Sequence, residues 1–272
     1  MLHFLPREER LNYDRQCDSL LGDALAALVA FDGDVDQSEW RQIGRRGQLT
    51  VHRAAQPQPP PSNRFNLLGT GYLGGSVDDV IAGLGAETDE ELLTAQSLVV
   101  PKTMRMLGAA VLNVAERPMK RAPFRFAGVR WYSWVKDGEG EDGDAGRPQD
   151  LLTYERTGVT HDEDDRTIAY HVLLALDRPE WPLYVARAPG LRRADMSLCF
   201  LFRAVCKDLV ECLVVGSYPS RASSSTQRAA DAAVADRVLM VTKSLASFEA
   251  RRLSKLIHKA RERPVVMAYV TL

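Results

Sequence analysis

Residues 225–263, STQRAADAAVADRVLMVTKSLASFEARRLSKLIHKARER, predict one long amphipathic helix that continues without a break as far as Pro264. Ser224 and Gln227 have the spacing of a capping box at its start. Its apolar residues recur at steps of three or four and therefore share one face: Ala230, Val234, Val238, Val241, Leu245 and Phe248. A helix of roughly 55 Å, at 1.5 Å per residue, must bury that face against the rest of the chain.

The residues before this helix read mainly as strands. A first helix is predicted over 6–30, and two strands, 48–55 and 65–73, precede two short helices capped by Ser76 and Thr88. Six antiparallel strands follow, at 107–116, 124–135, 151–157, 167–176, 194–204 and 209–217. This order predicts one α+β domain over 6–263, with a tail at 264–272, in which a curved antiparallel sheet wraps around the last helix.

Composition and charge exclude several classes of protein. The 272 residues are 45% hydrophobic, and 35 basic against 36 acidic residues leave a net charge of −1, which offers no general attraction to nucleic acid. The four cysteines have no CxxC spacing, so they predict small core residues of a reducing compartment and no metal site. Without a signal-peptide pattern or an apolar run of eighteen residues, we expect a soluble cytoplasmic protein.

Five segments occur in an order that is informative about family: 66–74, 122–134 (APFRFAGVRWYSW), 147–158 (RPQDLLTYERTG), 169–176 (AYHVLLAL) and 193–203 (RADMSLCFLFR). Together with the final helix they resemble the START-like (StAR-related lipid-transfer) domains, which have the helix-grip fold. The resemblance is closest to START-like proteins of microbial eukaryotes that often carry a FYVE zinc finger, and no such finger is present in this sequence. It implies a lipid-sized tunnel between sheet and last helix, with a loop acting as a lid. Better-known members place a charged pair in the tunnel, and Glu155 stands where their basic group often lies, which puts that pairing in doubt.

One face of each strand should line the space beneath the helix. On strand 194–204 the alternating apolar residues predict the inward face, and with the helix they give the expected ligand-contacting set: Met196, Leu198, Phe200, Phe202, Val238, Val241, Leu245 and Phe248. The alternative is that these residues fill a solid core without any cavity.

Four polar residues are candidates to hold the polar end of a ligand: Tyr154, Glu155, Tyr170 and His171. Neighbours on one strand point to opposite faces, so Tyr154 and Glu155 cannot both face inward without a bulge. The alternative for each of the four is a hydrogen-bonded residue of the cavity wall or an exposed strand residue. His171 is a weak candidate for a general base, because no serine or cysteine nucleophile lies in a recognisable setting.

The loop 177–191 is the predicted lid, with the apolar or amphipathic residues Trp181, Leu183 and Tyr184 as membrane-facing anchors. The alternative is a fixed cover on the sheet. The basic end of the last helix, which includes Arg251 and Arg252, suits either transient contact with anionic lipid or simply a helix C-terminus.

A glycine motif and two acidic stretches resemble ligand-binding patterns, but we interpret them as structural or solvent-exposed features. Gly69, Gly71 and Gly74 match G-x-G-x-x-G, but a second helix follows where a dinucleotide site needs a parallel strand, so the glycines indicate a tight turn. The acidic stretches 137–142 and 161–165 lack the calcium-loop pattern and indicate solvated charge.

The sequence therefore predicts a lipid-binding or lipid-transfer module for a sterol, phospholipid or fatty acid, with no cofactor. Two alternatives stay open: an enzyme on the same scaffold, of the cyclase or hydrolase type, and a filled domain that serves as a protein-interaction scaffold.

Overall fold

The structure, a computed structural model, describes residues 4–136, 147–178, 180–181, 191–221 and 223–261. Its helices are α1 (Arg7–Ala30), α2 (Val77–Leu84), α3 (Asp89–Val99), α4 (Ser224–Leu239) and α5 (Ser244–Arg261). Its strands are β1 (Trp40–Arg46), β2 (Leu49–Ala54), β3 (Arg64–Gly74), β4 (Met104–Glu116), β5 (Phe126–Lys136), β6 (Gln149–His161), β7 (Thr167–Ala175), β8 (Arg192–Arg193), β9 (Ser197–Cys206) and β10 (Leu209–Pro219).

The ten strands form one curved sheet, in the order β1-β2-β3-β10-β9-β7-β6-β5-β4. Every neighbouring pair in this order is antiparallel, and β8 adds a short parallel pairing with β6. Since β3 lies beside β10, the early and late strands of the chain meet in the middle of the sheet. The predicted α+β helix-grip architecture is confirmed.

The two faces of the sheet bury different partners. The inner face packs against α2, α3, α4 and the residue Val241 that follows α4, in a cluster that joins strand residues such as Phe200 to Val80 and Val238. The outer face packs against α1, through residues such as Cys17 and Leu28. Because side chains alternate along a strand, each of the strands β3–β7, β9 and β10 supplies residues to both clusters.

The C-terminal helix is broken, where the sequence predicted one continuous helix. A turn of 3₁₀ helix, Met240–Lys243, separates α4 from α5. Ser223, one residue before the predicted cap, accepts the hydrogen bond from the Thr226 amide at 3.2 Å. A 3₁₀ helix has about three residues per turn where an α-helix has 3.6, so these four residues rotate the face of α5 relative to that of α4.

Two strands were missed, β1 and the two-residue β8. β1 has an irregular register with β2 near Gln42 and Gly44, and its mixed, half-exposed residues lack the alternation from which strands are recognised. The two short helices therefore follow the third strand. Ser76 caps α2 and Thr88 caps α3, as predicted.

Gly71 explains part of the glycine motif in β3. Its φ is +151°, and a Cβ atom built there would lie 2.0 Å from the Gln48 carbonyl oxygen, so the close approach of β2 to β3 requires glycine.

Three of the cysteines are buried as predicted, but Cys206 is exposed at the end of β9. Within the described part of the chain, no helix has both the length and the apolar character needed to cross a bilayer.

Candidate functional site

The inner face of β5, β6 and β7 carries a buried group of charged and polar side chains centred on Glu155. Its carboxylate accepts hydrogen bonds from Arg130 Nη1 at 2.9 Å, from the Tyr132 hydroxyl at 2.5 Å and from Thr153 Oγ1 at 2.9 Å. His171 Nε2 lies 2.9 Å from Glu155 Oε2. We call these five residues the inner charged cluster.

Strand register brings the cluster together. Glu155 lies opposite Gly128 on β5 and opposite Leu173 on β7. Arg130 and His171 are each two residues from those positions, so they are diagonal neighbours of Glu155 on the same face, within reach of long side chains. A pairing shifted by one residue would place them on the opposite face from Glu155.

Arg130 also ties the sheet to the helices. Its Nη2 donates to the Ala86 carbonyl at 2.5 Å, between α2 and α3, and its guanidinium lies 4.1 Å from the centre of the Phe126 ring. Only 2% of its side chain is exposed, and Nε has no hydrogen-bond partner among the described residues. Such a buried, unpaired donor is uncommon in folded proteins.

The cluster holds Glu155 in its ionised form. Burial alone would raise the pKa of this carboxyl group, but the charge of Arg130 and the hydrogen bond from His171 outweigh burial and hold the pKa well below its usual range. An ion pair at this depth contributes little net stability, because removing two charges from water is costly. The pair is therefore a candidate for a functional role.

We expect the contribution of Glu155 to stability to be lost in acid. A carboxyl group with a depressed pKa in the folded state stabilises fully above its unfolded pKa of about 4.3, and the contribution declines as the pH falls below that value. Urea unfolding of wild type and Glu155→Gln at pH 7, 5, 4 and 3 measures this. The gap in unfolding free energy between the two proteins should shrink towards pH 3, and a gap independent of pH would contradict the assignment.

A cavity of about 30 Å³ adjoins the cluster, between the sheet and the helices. Arg130, Tyr132, His171 and Phe200 line it from the sheet, and Val241 is among its helix residues. It has room for about one water molecule and is far below the roughly 300–1,000 Å³ of typical ligand sites. The lipid-sized tunnel that the resemblance implies is therefore not open at this place in the described conformation, since apolar side chains from both layers interlock there.

A second guanidinium closes the cavity from the helix side. Arg237 on α4 lies 4.5 Å from the centre of the Tyr132 ring and donates to Gln96 Oε1 on α3 at 2.9 Å. Two positive charges, those of Arg130 and Arg237, therefore line the cavity, and the negative charge of Glu155 lies behind Arg130. Its electrostatic balance favours an anion or a strong hydrogen-bond acceptor.

Most of the apolar residues predicted to face inward do so. Met196, Leu198, Phe200 and Phe202 belong to the inner-face cluster, as do Val238 and Val241. Only Phe200 and Val241 of the eight predicted ligand-contacting residues line the cavity, and Leu245 and Phe248, the last two of the predicted stripe, are half-buried. Among the α5 side chains that the structure describes, the buried ones are instead Ser244 and Ser247, because the 3₁₀ turn rotates the helix.

Two of the four polar candidates lie on the wrong face. Glu155 and His171 are on the inner face, whereas Tyr154 and Tyr170 belong to the outer-face cluster. The Tyr154 hydroxyl donates to Asp14 on α1 at 2.8 Å, so this residue fastens α1 to the sheet. The cause is strand alternation, which sends Tyr154 away from the face that holds Glu155.

The predicted lid is only partly described. Trp181 is 7% exposed and packs in the outer-face cluster, with the Arg178 guanidinium 4.5 Å from the centre of its ring, so it is not a solvent-facing anchor. Leu183 and Tyr184 lie outside the described residues, as does the acidic stretch 137–142.

Sequence reasoning missed Arg130, Tyr132 and Arg237. The signal for Arg130 is present in its strand: β5 is buried at every position except Lys136, and a cation within such a run requires a buried partner. That partner is Glu155, so a buried charged pair is present with the acid on β6 and the base on β5. Arg237 gave no such signal, because basic residues are common on exposed helix faces.

No protein-family model and no curated protein matches this chain. Among solved structures, human STARD10 aligns over 96% of this chain and 90% of its own, at 10% identity and a TM-score of 0.48. The lipid transfer and protein localization domain of human StarD13 aligns over 89% and 98%, at 11% identity and 0.48, and human StAR-related lipid transfer protein 5 over 92% and 100%, at 12% and 0.45. By the order and pairing of its own strands and helices, the protein has the START-like helix-grip fold that the five sequence segments implied.

Proposed function

We propose that the protein binds a lipid between the inner face of the sheet and the C-terminal helices. The inner charged cluster would hold the polar end of that lipid. The observation that carries the proposal is a buried ion pair, Arg130 with Glu155, whose arginine lines a cavity in a mainly apolar layer. A ligand in a mainly apolar site is usually oriented by a small number of polar groups.

The cluster favours a ligand with an acidic or strongly accepting end. Arg130 Nε is a buried donor without a partner among the described residues, and Arg237 brings a second positive charge to the cavity. Both groups suit a carboxylate or phosphate better than a single hydroxyl. The ligand class is therefore a fatty acid or an anionic phospholipid, in preference to a sterol.

Binding a lipid tail requires the C-terminal helices to move. The cavity of about 30 Å³ would have to widen, and the residues directly above it, Met240 and Val241, belong to the 3₁₀ turn between α4 and α5. A 3₁₀ interruption within a helix is a common place for two helical pieces to move separately. Each methylene group of a tail that replaces water contact with apolar contact contributes about 0.8 kcal/mol towards this opening.

Contact with a membrane surface is part of the same proposal. Leu253, Leu256 and Ile257 on α5 are 58%, 56% and 46% exposed and lie on one side of the helix, beside Arg252. An exposed apolar stripe next to basic residues suits the surface of an anionic bilayer.

Lipid extraction of the purified protein tests the proposal. We expect mass spectrometry to detect a bound lipid with an acidic headgroup, and we expect vesicles of phosphatidylcholine with phosphatidylserine and oleic acid to raise the melting temperature. In Arg130→Met/Glu155→Gln the affinity for such a lipid should fall at least about tenfold, which lowers both signals, since the positive charge that would contact the acidic end is lost.

A second buried ion pair provides the matched control. Arg53 and Asp231 lie 3.0 Å apart, between β2 and α4, with side chains only 8% and 13% exposed, and they do not line the cavity. Arg53→Met/Asp231→Asn should keep lipid binding after correction for stability. Absence of any lipid from wild type, together with no thermal effect of vesicles, would contradict the proposal and favour the filled scaffold.

An enzyme is the second candidate, on the observation that Tyr132 and His171 line one cavity and both contact the Glu155 carboxylate behind it. These groups are suited to proton transfer. The carboxylate is engaged by Arg130, however, which suits a binding role better than that of a base. Chemical change of an extracted lipid during incubation with wild type, and its absence with His171→Gln, would favour the enzyme.

A further inference from the structure

The outer face of the sheet carries a second and much larger concavity, of about 730 Å³. It lies between the C-terminal third of α1, the segment 31–40 and the outer rows of β3 and β10. We call it the outer groove. It lies on the opposite side of the sheet from the inner charged cluster, so a partner bound in the outer groove would not require a lipid in the inner site.

The outer groove has an apolar floor and an acidic rim. Its half-buried apolar residues include Leu20, Phe31, Val35, Leu68 and Val215. Its acidic residues are all exposed, and they are Asp23, Asp32, Asp34, Asp36 and Glu39.

No basic side chain offsets this charge within the groove. The lining, all of it from described residues, contains no Lys, Arg or His. Arg64 hydrogen-bonds to Ser217 of the lining, but it is already paired with Asp195 at 2.7 and 3.1 Å. The rim therefore presents negative charge over an apolar floor.

We infer that the outer groove binds a basic amphipathic helix of a partner protein. The groove borders α1 from Leu20 to Ala30, about 15 Å at 1.5 Å per residue, which is the length of about three turns of a bound helix. Such a helix would place apolar side chains at steps of three and four on the floor, and Lys or Arg side chains against the rim. Charge complementarity of this kind steers association and sets orientation.

A lipid fits this groove poorly. An acyl chain brings no positive charge to the five carboxylates, and an anionic headgroup would be repelled by them. The floor is also only half-buried, so a lipid tail would stay partly in contact with water.

The test uses the full chain and a fluorescent peptide of about fourteen residues, built from Leu and Lys so that it forms an amphipathic helix. Fluorescence anisotropy is expected to give saturable binding that weakens with salt. Asp23→Asn/Asp34→Asn/Glu39→Gln should weaken binding about tenfold, because each exposed charge pair contributes up to about 1 kcal/mol. This variant spares Asp32 and Asp36, whose carboxylates accept hydrogen bonds from the Asp34 and Ser38 amides.

Two further variants keep the result interpretable. Glu163→Gln/Asp177→Asn/Asp208→Asn removes three exposed charges elsewhere and should leave the affinity unchanged. Ala27→Phe keeps every charge but fills the groove, and it should weaken binding at least as much as the rim variant, with melting temperatures measured for all proteins. Equal loss in both charge variants, or no loss with Ala27→Phe, would overturn the inference. Concentration-dependent self-association that is abolished by Ala27→Phe would assign the groove to a second copy and also overturn it.

Discussion

Arg130→Met is expected to lower the free energy of unfolding by about 3–5 kcal/mol. The substitution leaves the Glu155 carboxylate, which is fully buried, without its opposite charge, and it removes the hydrogen bond to the Ala86 carbonyl. The loss is large because a buried uncompensated charge is far less favourable than the same charge in water. Urea unfolding at pH 7, followed by far-ultraviolet circular dichroism, measures it.

The double variant separates the lost ion pair from lost packing. Arg130→Met/Glu155→Gln removes both charges, and an amide at position 155 still accepts the hydrogen bond from Tyr132. We expect the double variant to be more stable than Arg130→Met alone, although it carries one more substitution. If the two substitutions simply add, then the Arg130–Glu155 pair is not the source of the loss.

Gly83→Ala is expected to destabilise the protein by about 1–3 kcal/mol. A Cβ atom at this position of α2 would lie 2.1 Å from the Ser244 carbonyl oxygen and 2.6 Å from its carbon, so the start of α5 would have to move away. A flexible side chain could rotate to make room, but a backbone carbonyl cannot. The measurement is again urea unfolding at pH 7.

Gly22 supplies the matched control for this substitution. It lies in the exposed middle of α1, and a Cβ atom there would have no atom within 4 Å. Gly22→Ala should therefore raise stability by up to about 1 kcal/mol, which is the intrinsic preference of a helix for alanine. A similar effect of both substitutions would mean that α2 and α5 are not packed backbone to backbone at Gly83.

These predictions depend on two contacts, a backbone contact between helices and a buried ion pair between strands. The sequence indicates the second contact better than the first. The contact between Gly83 and Ser244 joins residues 161 positions apart, and nothing in either local pattern points to the other. The pairing of Glu155 with Arg130 is partly indicated by the sequence. A cation buried in β5 requires a partner of opposite charge, but the sequence does not identify which residue that is.

The local pattern of residues by itself determined the helices α1 to α3, eight of the ten strands, the caps at Ser76 and Thr88, and the inward row from Met196 to Phe202. These follow from interactions between near neighbours and from the two-residue period of a strand. Only the tertiary structure decided that the terminal helix breaks at Met240–Lys243, that Tyr154 contacts α1 while Glu155 faces Arg130, and that the space between the layers is nearly filled. Those outcomes depend on strand register and on side-chain volume across layers, which are summed over residues far apart in the chain.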